Sequence, residues 1–160
     1  MADSAIEYAK SLMDQGNLAL RRGDYTVARD CFRQSHSYCE SAEALTYWGW
    51  MEHKMGNMDL AIELCKQAIR LDPTFGNPYN DIGSYLIAKG LFDEAIPWLE
   101  KAKCATRYEP KQYPHLNMAR VYIAKGMPIS ALEEFRKALK YVPHDSELKR
   151  SIFLLETSVN

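Results

Sequence analysis

The chain has 160 residues, 47% of them hydrophobic, enough to bury a continuous core of ordinary domain size. Its 20 lysines and arginines face 21 aspartates and glutamates, so the formal charge of −1 gives no long-range pull toward nucleic-acid phosphates or an anionic membrane. Four cysteines without a CxxC pair and four histidines without HxxxH or HExxH spacing match no familiar zinc pattern; the thiols read as reduced, and neither metal nor cofactor is expected.

Residues 1–10 show no basic patch ahead of an apolar stretch, and no apolar run elsewhere approaches a membrane span. A soluble, cytoplasmic protein without a membrane partner is the expectation. From residue 9 onward the chain reads as repeating units, each carrying one glycine turn. The first, 9–41, holds Gly16, the turn Arg22-Gly23-Asp24-Tyr25, then Ala28, Phe32 and Ser35. The second, 42–75, repeats the phase with Gly49, Met55-Gly56-Asn57-Met58, Ala61, Cys65 and Ala68, and closes on Leu71-Asp72-Pro73. The third, 76–111, gives Gly83, Lys89-Gly90-Leu91-Phe92, Ala95, Leu99 and Ala102. The fourth, 112–145, gives Ala119, Lys125-Gly126-Met127-Pro128, Ala131, Phe135 and Ala138, and closes on Tyr141-Val142-Pro143.

Small residues at three fixed phases let two antiparallel helices approach closely, and the larger residue at the fourth phase fills the space beside the crossing. Proline at the unit ends stops the second helix, because it disfavours helical geometry in the residue before it. Pro128 falls at a helix start, and Pro97 about one turn into its helix if Asp93 is the N-cap; neither predicts a kink. Two departures stand out. The first unit has Gln15 where a large apolar residue belongs and Glu40 where proline usually sits, the relaxation expected of a terminal repeat. The third closes late, at Pro110, which predicts a longer second helix or a wider turn. Beyond the units, 146–158 carries Leu148, Ile152 and Leu155 on one helical stripe, a capping helix with Glu147, Lys149, Arg150 and Glu156 toward solvent.

The pattern resembles the tetratricopeptide repeat family, helix-turn-helix repeats of about 34 residues, over nearly the whole chain. The resemblance implies an all-α, right-handed superhelical solenoid: one domain over 1–160, with four repeats and a C-terminal capping helix. It also implies a concave groove lined by the first helix of each repeat. Carried onto this chain, the groove positions of the second repeat include Tyr47, Trp50, His53 and Lys54. Those of the third include Asn77, Asn80, Asp81 and Ser84, and those of the fourth Tyr113, Asn117 and Arg120.

Trp50 is the leading anchor. Trp48 already takes the core position, and two residues further the helix has turned by about 160°, so Trp50 faces the groove or packs on a neighbouring or N-terminal helix. Asn80 and Asn117 offer amides suited to a peptide main chain. The heat-shock carboxylate clamp known in the family is not expected, because only Asn17 matches its residues and Asp81 would repel a terminal carboxylate. No nucleophile–base pair, pocketed carboxylate pair or glycine-rich phosphate loop presents itself. The expected role is therefore non-enzymatic: a protein or peptide held in the groove, as an adaptor or scaffold. The alternatives are a self-associating scaffold, with Tyr8, Tyr38 and Tyr108 as exposed contacts, and a secretion or assembly chaperone.

Overall fold

The structure is a computed structural model describing residues 2–159. Among these residues every regular element is a helix: α1 Ala2–Arg22, α2 Tyr25–Tyr38, α3 Ala42–Lys54, α4 Met58–Leu71, α5 Asn77–Ala88, α6 Phe92–Cys104, α7 Gln112–Ala124, α8 Pro128–Tyr141 and α9 Ser146–Val159. Each odd helix through α7 pairs with the even one that follows, and each pair stacks on the next. The α5 helix also touches both α3 and α7, so the odd helices form the inner row of an all-α repeat solenoid. None is long and apolar enough to cross a membrane.

The phases read from the sequence carry this stacking. Ala28, Ala61, Ala95 and Ala131 are all fully buried, and Ser35, Ala68, Ala102 and Ala138 nearly so. At the α5–α6 crossing a Cβ on Gly83 would lie 2.5 Å from Leu99 Cδ2, so only glycine allows this approach without moving Leu99. Gly23, Gly56, Gly90 and Gly126 turn each pair with φ between 69° and 89°, a region that side chains disfavour. Outside the core the stacking repeats as ion pairs: Lys89 reaches back to Asp59 at 2.7 Å, and Lys125 to Asp93 in the same phase.

Several expectations change. The first helix starts at Ala2, seven residues before the unit boundary, and Gln15 is exposed on it. The first unit closes without proline because Ser41 caps α3, its Oγ accepting from the Ala44 N–H at 3.1 Å. The N-cap of α6 is Leu91 rather than Asp93, so Pro97 lies sixth in the helix and leaves one carbonyl without its intrahelical donor. Glu156 is half-buried and accepts from Arg136 at 2.6 Å, while Glu147, Lys149 and Arg150 are exposed. Buried Leu148 and Ile152 pack α9 against Leu132 and Ala138.

The late closure of the third unit is taken up by a wider turn. With 13 residues, α6 is no longer than its counterparts, and 105–111 forms a loop that folds back on the preceding α4–α5 turn. The Gly76 N–H donates to the Arg107 carbonyl and the Arg107 N–H to that of Thr74, both at 3.0 Å. Arg107 also lies over the Phe75 ring at 4.3 Å and pairs with Asp72 at 2.6 Å and Glu43 at 2.7 Å. The loop is thereby stapled across three elements. It carries Tyr108 inward to 5% exposure, so Tyr108 is not a surface contact as its sequence position suggests. Tyr8 and Tyr38 remain exposed and pack edge-on against one another at 4.8 Å.

Candidate functional site

The inner row leaves one large cleft, about 640 Å³, between α3, α5, the folded-back loop and the start of α7. From α3 come Glu43, Thr46, Tyr47, Trp50, His53 and Lys54, a set spaced at three and four residues and hence on one helix face. From α5 come Asn77, Asn80, Asp81, Ser84 and Tyr85. Phe75, Tyr108, Glu109, Pro110 and Tyr113 complete the wall. The volume lies within the range of small-ligand and peptide side-chain pockets.

Nine of the eleven groove residues named from the sequence line this cleft; Asn117 and Arg120 do not. Asn117 is buried and donates to Asn80 Oδ1 at 2.9 Å, and Arg120 donates to Asn117 Oδ1 at 3.1 Å. Those amides brace α5 against α7 rather than stand open for a main chain. Trp50 does two things. It packs with Met13 and Leu20 beside the α1–α2 core, and it lines the cleft with Tyr47 at 6.4 Å between ring centroids. Lys54 lies 5.8 Å from the Trp50 ring centroid, where its charge is attracted by the ring face.

Tyr85, Tyr108, Glu109 and Pro110 escaped sequence reasoning. Tyr85 stands four residues after Asp81 on the same face of α5. The loop residues belong to the segment that breaks the repeat period, so no phase assigns them a direction. The unusual length of the third unit was the one signal pointing to them. Gly76 is where the loop docks: a Cβ there would lie 2.4 Å from Tyr108 Cβ and 2.9 Å from Ala105 Cβ.

Electrostatics single out Asp81. Among the described residues no cation lies within ion-pair distance of its carboxylate. Burial pushes its carboxyl up to about 7, against a hydrogen bond from the Asn80 side chain that pulls it down. The neighbouring Cys65, Tyr85 and Tyr108 are also raised by burial and stay protonated at neutral pH. Burial, then Lys54, lowers His53, which is therefore neutral at pH 7. Between the ordinary 3.8 and about 7, the folded chain keeps an Asp81 proton that the unfolded chain releases, so Asp81 lowers stability as pH rises through that window. Asp81→Asn should raise stability by about 2 kcal/mol at pH 8, after allowing for solvent screening, and by almost nothing at pH 4. Urea melts at both pH values test this; an equal gain at both would show that the buried charge is not responsible.

Residues 42–75 and, separately, 77–103 match family models described as tetratricopeptide repeat. The chain is a tetratricopeptide-repeat protein. It is 27% identical over 108 residues to the small glutamine-rich tetratricopeptide repeat-containing protein 2 of Mycosarcoma maydis. That match takes in 62% of this chain and spans 29% of the length of the curated relative. Pseudomonas aeruginosa pilF, at 21% identity, superposes with a TM-score of 0.88 over 97% of this chain and 70% of its own. YrrB, described as a TPR protein with an unusual peptide-binding site, gives 0.68 at 21% identity over 93% of this chain and 75% of its own. At such identities the structures share a fold. Repeats of this kind serve protein–protein interaction, and among the described residues no group of three His, Cys, Asp or Glu side chains is placed to hold a metal.

Proposed function

We propose that this tetratricopeptide-repeat protein holds a peptide segment of another protein in the α3–α5–loop cleft and so acts as a non-enzymatic adaptor or scaffold. The observation that carries this reading is the cleft itself: a 640 Å³ recess on the inner row with Tyr47, Trp50, Tyr85, Tyr108 and Tyr113 in its walls. Aromatic surface at the centre of a concave site is the usual anchor of an interface, since burying it under a partner removes a large apolar area from water. The peptide-binding site named for YrrB on the same fold is in keeping with this reading.

Selection of a displayed random peptide library on the immobilised protein tests it. Binders of about micromolar affinity, near −8 kcal/mol, are expected. Trp50→Ala should weaken them by about 2 kcal/mol. Because Trp50 also packs on the core, Tyr113→Ala is the companion variant; Tyr113 is 48% exposed, and its removal should spare the fold. Selected peptides that bind both variants with unchanged affinity would place the site elsewhere.

A further inference from the structure

Two polar atoms of the cleft lack partners, and they lie beside a carboxyl group that no cation compensates. The Tyr85 hydroxyl is shut from solvent on a residue 3% exposed, and among the described residues nothing hydrogen-bonds to it. The His53 Nδ1 is buried and unpartnered in the same way, on a ring stacked against Tyr85 at 4.4 Å between centroids. Asp81, one turn before Tyr85, accepts from the Asn80 side chain but among the described residues has no cation within ion-pair distance. Buried polar atoms are nearly always satisfied, so two orphans beside an uncompensated carboxylate mark the place of a missing ligand group.

The chemistry of that group follows from what the three can do. A carboxylate only accepts, a neutral histidine accepts at the nitrogen without a proton, and a tyrosine hydroxyl accepts on its lone pairs. The complement is one head with several N–H donors and a positive charge. The charges of the wall agree: Glu43, Asp81 and Glu109 stand against Lys54 alone. Glu43 already pairs with Arg107 and Glu109 is exposed on the loop, which leaves Asp81 as the less exposed acid of the cleft that no cation pairs among the described residues. The aromatic rings around it offer faces to a cation.

We infer that the cleft recognises its peptide through an arginine or lysine side chain, whose cationic head is received by Asp81, Tyr85 and His53. This rests on the peptide-binding reading above and names the residue that the peptide must present. A guanidinium, planar and with five N–H donors, meets all three acceptors, while an ammonium offers three donors from one point.

Parallel library selections on wild type and on Asp81→Asn test the inference. Wild type should enrich peptides with arginine or lysine at one fixed position, and the relative enrichment of the two identifies the head. Asp81→Asn should lose that preference. On wild-type protein, replacing the selected arginine by citrulline, or the lysine by acetyl-lysine, should weaken binding about 10- to 100-fold, the loss of a charge-assisted hydrogen bond. This arm does not depend on the variant folding. Peptides selected without a basic preference, or bound equally after the charge is removed, would overturn the inference and leave peptide binding standing. Failure to select any peptide would overturn both.

Discussion

Tyr108→Ala is expected to lower stability by about 3–4 kcal/mol and to open the cleft on its loop side. Removing a buried aromatic costs its transfer free energy plus that of the hole it leaves. Here the hole falls against Gly76, the point where the loop meets the start of α5. The backbone pairing of 105–111 with the α4–α5 turn then has little beneath it except the Arg107 pairs. Those pairs involve a half-exposed guanidinium and contribute about 1 kcal/mol at most. Urea denaturation measures the loss, and limited proteolysis at Arg107 reports the loop. Tyr108→Phe keeps the ring and should stay close to wild type; if it falls as far as alanine, the hydroxyl and not the packed ring holds the loop.

Glu134→Gln should cost about 3 kcal/mol at pH 7, and the loss should shrink in acid. Glu134 is a carboxylate at 5% exposure, receiving Lys103 at 3.0 Å from α6, His115 at 2.7 Å from α7 and Lys137 at 3.0 Å on its own helix. Burial acts to raise its carboxyl, but the hydrogen bonds from His115, Lys137 and Lys103 prevail and hold it at about 2, against an ordinary 4.5. A depressed carboxylate contributes stability that is complete above its unfolded value and lost as pH falls through its folded one. Glutamine resembles the protonated acid, so the gap between wild type and variant should narrow below pH 4.5 and close near pH 2. The drop from 4.5 to about 2 corresponds to the 3 kcal/mol expected at neutral pH. Chemical melts at pH 7 and pH 3 check both size and direction; a gap that is constant with pH would mean that shape, not charge, binds α6, α7 and α8 together.

These two sites also show where the sequence is legible and where it is silent. The helix crossings are written locally. Gly16 against Phe32 and Gly83 against Leu99 recur at a fixed phase because each repeat must solve the same steric problem, so four copies of one solution can be read without coordinates. The α3 face of the cleft follows from that phase too, since Tyr47, Trp50, His53 and Lys54 share one stripe by helical geometry alone. The loop has no such periodicity. Its partners are Glu43, 64 residues away from Arg107, and Asp72, 35 away, and only the folded chain brings them together.

Buried charge is likewise invisible to patterning. Glu134 sits on an amphipathic helix where a glutamate reads as solvated, and its burial depends on groups supplied by two other helices. Asn80 and Asn117 read as open groove amides on successive repeats, yet in the fold Asn117 donates to Asn80 Oδ1 at 2.9 Å and accepts from Arg120, so its amide is spent within the wall. Asp81 reads as a groove position and as a residue hostile to a ligand carboxylate. In the fold its lack of a cation, together with the unpartnered Tyr85 hydroxyl, turns the same property into a preference.

Backbone amide shift mapping of the isotopically labelled protein with a peptide from the selection is the most direct test of the cleft as a binding site. Shifts are expected to concentrate on residues 43–54 of α3, 77–85 of α5 and the 105–113 segment, with the indole signal of Trp50 among the largest. Shifts confined to the outer row of α2, α4, α6 and α8, with the cleft unchanged, would contradict it.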